Sequence, residues 1–154
     1  MLTLKNKHIT ATFDEKTGAL VELISNKTKW RIQNRKELGL SFRMLVPLPN
    51  RRNNLVQGTK QKCSSFKLSG DGQRLEFKFD KLTSEFGGTH NISTLATVTC
   101  TDSGLQFDLS IKNKSPYTVE AIEYPILGDL PLPRSAKSLS SMRIGYAQMY
   151  RDPF

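Results

Sequence analysis

The chain is poor in the residues that carry most catalytic and metal chemistry. Its 154 residues include two histidines, two cysteines and one tryptophan. His8 and His90 each stand without a Ser, Cys or Asp at a spacing that marks a nucleophile and its base, so both read as surface histidines. Cys63 and Cys100 are too few for a disulfide framework or a structural zinc site, and they read as small buried thiols. A single bridge between them would need an oxidising compartment. Asp14-Glu15 and Asp71-Gly72 are turn residues before they are metal ligands, so no metal and no cofactor is assigned. No stretch reaches the roughly 18 apolar residues of a membrane span, and none is predicted. No basic-then-apolar leader opens the chain. A periplasmic or extracellular location would require a leader already removed, and the compartment stays unassigned. No helix of three turns stands out anywhere.

What is present is alternation. From Gly104 to Lys112, Leu105, Phe107, Leu109 and Ile111 point one way, and Gln106, Asp108, Ser110 and Lys112 point the other. Period two over this length predicts a strand with one buried face. Thr94 to Thr101 precedes it across the hairpin signal Asp102-Ser103-Gly104. Asn113-Lys114-Ser115-Pro116 turns the chain again, and Tyr117 to Tyr124 reads as the third of three consecutive antiparallel strands.

The rest of the chain repeats this grammar. Leu2 to Thr12 reads as a strand pair broken near Asn6-Lys7. Asp14 to Gly18 is a hairpin turn with Ala19 to Ile24 as its return strand, and Thr28 to Gln33 is another short strand. Leu40 to Leu48 alternates until Pro47 and Pro49 end it. Asn50 to Lys62 is polar, basic and turn-rich, and reads as a long exposed loop. Cys63 to Leu68 and Leu75 to Phe79 form a hairpin, and Lys81 to Asn91 reads as a second loop with Gly87-Gly88 at its apex. Roughly nine or ten short strands with regular turn signals predict an all-β antiparallel β-sandwich. Residues 1–133 form that domain. Residues 134–154 read as a linker or arm towards a further C-terminal domain.

The net charge of +9 is the one unusual bulk property. The cations are spread along the chain, no nucleic-acid motif accompanies them, and a solvated basic face is the expected reading. Paired carboxylates for glycoside hydrolysis must flank a cleft at about 5 Å or about 6.5–9.5 Å. Glu120, Glu123 and Asp129 are the nearest to such a group, and nothing around them marks a shifted pKa. No catalytic residue is assigned. Aromatic rings suit sugar binding because a ring face offers apolar area to the C–H face of a pyranose. The candidates taken forward for carbohydrate binding are Tyr146, Tyr150, Trp30 and His90, the last placed by the Gly87-Gly88 loop where it would be accessible. A lone tryptophan in a sandwich is more often core than platform.

Two stretches carry a family resemblance. Phe13-Asp14-Glu15-Lys16-Thr17-Gly18-Ala19-Leu20, followed by Asn26-Lys27, fits a strand, a D-x-x-T-G hairpin and a return strand. Asp102-Ser103-Gly104-Leu105, Ile111-Lys112-Asn113 and Val119 to Pro125 fit a strand, an x-N-x-S turn and an aromatic-proline pair. In order and spacing the two resemble the galactose mutarotase-like β-sandwich domains of large polysaccharide-degrading enzymes. That resemblance implies a partial supersandwich, N-terminal and non-catalytic, packed against a C-terminal catalytic domain of the same protein. The histidine–glutamate pair of true mutarotases has no counterpart that can be placed on His8 or His90.

The leading expectation is therefore an accessory domain of a glycoside hydrolase, with oligo- or polysaccharide as a partner and neither nucleic acid nor membrane. A self-standing carbohydrate-binding module and a sugar epimerase-like enzyme using His90 are the alternatives, followed by electrostatic binding to nucleic acid.

Overall fold

The computed structural model describes residues 1–39 and 41–127. Thirteen strands among these residues form antiparallel sheets, so the all-β sandwich expected from alternation is what is observed. The first sheet is a meander of β1 (Leu2–Lys5), β2 (Ile9–Phe13), β3 (Leu20–Ser25) and β4 (Arg31–Gln33). Its turns are made by short polar side chains bonding their own backbone. Asn6 Oδ1 accepts from the N–H groups of His8 and Ile9 at 2.7 and 2.8 Å. Asp14 Oδ1 accepts from those of Lys16 and Thr17 at 2.8 and 3.0 Å, and Gly18 closes the turn at φ +66°. Burial pushes the Asp14 carboxyl up, but the N–H groups of Thr17 and Lys16 outweigh it and hold the carboxyl below its ordinary range.

The second sheet places β12 (Leu105–Asn113), β11 (Ile92–Cys100), β8 (Arg74–Phe79) and β7 (Ser65–Leu68) side by side in that order. Register fixes its inner face. Ala96 lies between Phe77 and Leu109, and Val98 between Leu75 and Phe107. A third sheet orders β13 (Ala121–Glu123), β5 (Arg43–Leu45) and β6 (Leu55–Gln57), and β9 (Leu82–Ser84) pairs with β10 (Gly88–His90). The core lies where the sheets meet. The Phe13 ring packs on Phe77 at 6.0 Å, and Phe42 meets Phe79 edge-on at 5.4 Å. Each buried phenylalanine or leucine contributes roughly 1.5–3 kcal/mol.

Four expectations need correction. Asn50–Lys62 is not a long exposed loop, because β6 and a 3-10 turn over Gly58–Lys60 lie inside it. Its amides are structural. Asn54 and Gln61 are buried, and Gln61 both donates to Thr83 O and accepts from Thr83 N at 2.8 Å, as a neighbouring strand would. Lys81–Asn91 is the β9–β10 hairpin, not a loop. Tyr117–Tyr124 contributes only β13, which pairs with β5 and not with β12. Here the turn is wider than a hairpin: Asn113 Nδ2 donates to Tyr117 O at 2.7 Å, and the chain crosses until Glu120 N donates to Leu45 O at 2.9 Å. Finally, both cysteines are free, but only Cys100 is buried; Cys63 is half-buried, two residues before the edge strand β7. The Arg134–Phe154 arm and the boundary at residue 133 lie outside the described residues.

Candidate functional site

Two places on the sandwich differ from its closed core. The first is its open side. β12 is the outermost strand of its sheet among the described residues. Its inward-pointing Leu105, Phe107, Leu109 and Ile111 are only half-buried, although they lie in register with fully covered neighbours on β11. The third sheet ends in the same way. Ile122 on β13 is in register with buried Met44 and so shares its face, yet it is 48% exposed. Tyr124 bridges the two edges, its ring edge-on to Phe107 at 5.8 Å. Burial, with Asp108 nearby, pushes the Tyr124 hydroxyl well above the usual phenol range. Leu127, four residues after β13, is also exposed. Such an open side supplies packing area, not reaction chemistry.

The second place is a loop end held by a buried amide. Leu48 and Arg51 exchange backbone hydrogen bonds at 3.0 Å around Pro49-Asn50, which makes a tight turn. Asn54, fully buried, donates to Val46 O at 2.9 Å and accepts from Phe86 N at 3.0 Å. It thereby fixes the tip of the β9–β10 hairpin against the third sheet. On that tip the Phe86 ring carries the Arg51 guanidinium on its face, 3.7 Å from the centroid. Arg52, next in sequence, pairs with Glu120 at 3.2 Å.

Beneath this tip lies His90, which is 5% exposed and so not the surface residue expected. Its Nε2 is 2.7 Å from Ser84 Oγ, while the Gly87 N–H donates to the same oxygen at 2.9 Å. The Ser84 hydroxyl and Nε2 share one hydrogen bond, which a neutral imidazole can make as donor or as acceptor according to its tautomer. Burial lowers the His90 pKa, which favours the neutral form. The Tyr117 ring stands edge-on to it at 5.4 Å. The arrangement pairs a serine with a histidine, but Ser84 is itself buried and serves to close its own hairpin.

The carboxylates are engaged elsewhere. Glu22, Glu76, Asp80, Glu120 and Glu123 each meet a lysine or arginine, and Glu15 meets the amino terminus. A groove of about 460 Å³ does gather Asp14 and Glu37 with Lys36 and Thr59. Asp14 is held ionised by its own turn, the opposite of what a proton donor to a glycosidic oxygen requires. Another groove of about 440 Å³ runs beside β7, between Lys16, Lys62, Cys63 and Phe66. Among the described residues, no group of three or more His, Cys, Asp or Glu side chains could hold a metal ion. No helix of the described residues is long and apolar enough to cross a membrane.

No protein-family model matches the chain, and no curated protein matches it. The site must therefore be read from its own residues. Of the four residues expected to bind carbohydrate, Tyr146 and Tyr150 lie outside the described residues. Trp30 is half-buried at the entry to β4, where its carbonyl accepts from Ser25 N at 2.9 Å. His90 sits on a different sheet, under the hairpin tip. The residues that sequence reasoning passed over are Arg51, Asn54, Ser84 and Phe86. The one local signal was Gly87-Gly88, which marks a tight tip next to Phe86.

Proposed function

We propose that the chain is a non-catalytic accessory β-sandwich of a glycoside hydrolase-type protein, of the galactose mutarotase-like kind, supporting a catalytic domain and contributing to carbohydrate binding. The observation that carries this reading is the open side. An inner face that is fully covered at β8 and β11 but half-covered at β12 and β13 offers a second domain its packing surface. Engagement of most described carboxylates in ion pairs and turns supports the non-catalytic part.

The test is amide exchange on β12 and β13, in residues 1–154 alone and in the polypeptide encoded by the parent reading frame. These strands are expected to gain protection in the longer polypeptide. Equal exchange in both, a stop codon directly after Phe154, or hydrolysis of aryl glycosides by residues 1–154 alone would overturn the reading.

A further inference from the structure

We propose that Arg51 and Phe86 form a binding site for an acidic sugar, a pyranose bearing a carboxylate, at the loop end of the sandwich. The inference deepens the carbohydrate part of the proposed function and stands on separate residues from the docking face.

The geometry is that of a prepared cation. The Arg51 guanidinium lies over the face of the Phe86 ring, its central carbon 3.7 Å from the centroid, and a guanidinium engaged through its face keeps its N–H edges for other partners. Those edges match a carboxylate with two parallel hydrogen bonds. No carboxylate among the described residues pairs with Arg51, whereas its neighbours are neutralised: Arg52 by Glu120, and Arg43 by Glu123 with Nε to Oε2 at 2.7 Å. Phe86 as a residue remains 51% exposed, so apolar area is accessible at the cation for the C–H face of a sugar.

Both side chains stand on fixed backbone. The Leu48–Arg51 turn holds one. Three hydrogen bonds hold the other: Glu85 N to Leu55 O at 2.8 Å, Phe86 N to Asn54 Oδ1 and Gly87 N to Ser84 Oγ. Little ordering cost is left for binding.

A nucleic-acid strand would fit the same tip poorly. It needs a track of uncompensated cations for successive phosphates. Here the Arg51 guanidinium stands next in sequence to Arg52, which Glu120 engages, and Phe86 follows Glu85, so the cations and anions alternate at this tip. One anion beside one ring is the pattern of a single uronate residue.

The experiment is calorimetric titration with tetragalacturonate, its methyl-esterified form and an oligothymidylate of similar length. Binding of tetragalacturonate is expected, weakened about tenfold or more by Arg51→Ala and by Phe86→Ala. Arg51→Lys should recover only part of the loss, because it restores charge without the planar fork. The methyl ester should bind at least about tenfold more weakly, since it keeps the ring face and loses the anion. Lys7→Ala, at a distant exposed position, should leave affinity unchanged.

Equal losses for Lys7→Ala and Arg51→Ala would mean diffuse attraction to the basic surface and would overturn the site. So would absence of tetragalacturonate binding, or tighter Arg51-dependent binding of the oligothymidylate. Any of these results alongside β12 and β13 protection in the longer polypeptide would remove this site and leave the docking role intact.

Discussion

Strands β8 and β12 flank β11 on its two sides and carry the same alternation of apolar and polar residues, yet they differ in cover. Leu75, Phe77 and Phe79 of β8 are essentially inaccessible. Leu105, Phe107, Leu109 and Ile111 of β12 are half-open, although they face the same way. The Phe13 ring packs on Phe77, while Phe107 has the edge of a half-buried Tyr124. Alternation therefore specifies which face a side chain takes. The amount of polypeptide lying over that face is decided by the topology.

The sharpest way to probe this comparison is to truncate both phenylalanines. Phe77→Ala should cost about 3–5 kcal/mol, the range for a fully enclosed ring, and Phe107→Ala roughly half as much. Urea denaturation of both variants reads the gap. Equal losses would mean that the open side is as closed as the centre.

The next effect sets the clamped loop end against the open side. Asn54→Ala leaves Val46 O and Phe86 N without their partner, and should cost roughly 2–4 kcal/mol. It should also speed amide exchange at Phe86 and Gly87 while leaving β12 unaffected. Spread of the faster exchange into β12 would show that the two regions are not separate.

The smallest effect has the opposite sign. The Thr94 hydroxyl is buried on the inner face of β11, between Phe79 and Ile111 in register, and has no hydrogen-bond partner among the described residues. Thr94→Val removes a desolvated polar group, so it should raise stability by up to about 1 kcal/mol. A measured loss of stability would reveal a partner for the hydroxyl on the open side.

Much of the fold was legible because its signals are local. Asp14 to Gly18 and Asn6-Lys7 became turns through bonds between a side chain and its own backbone within three residues. The β7–β8 and β11–β12 hairpins followed from alternation interrupted by Gly, Asp and Ser. The misreadings share a physical cause. Asn54 and Gln61 look like loop residues, because amides usually seek water. Their partners, Phe86 N and Thr83 N and O, come from a hairpin more than twenty residues away. The candidate site was hidden for the same reason: Arg51 and Phe86 are thirty-five positions apart, and no periodicity links them.

The sequence alone determined that this chain is an antiparallel all-β protein, which face the alternating apolar residues of its strands share, and where most of its hairpins turn. Strand alternation and turn chemistry are properties of neighbouring residues, and need no knowledge of what lies across the core. The tertiary structure decided three other things. It sent β13 to β5 and away from β12, it buried two amides as substitutes for strand neighbours, and it set one arginine on one exposed ring. Each depends on contacts between segments distant in the chain, which form only when the sheets pack.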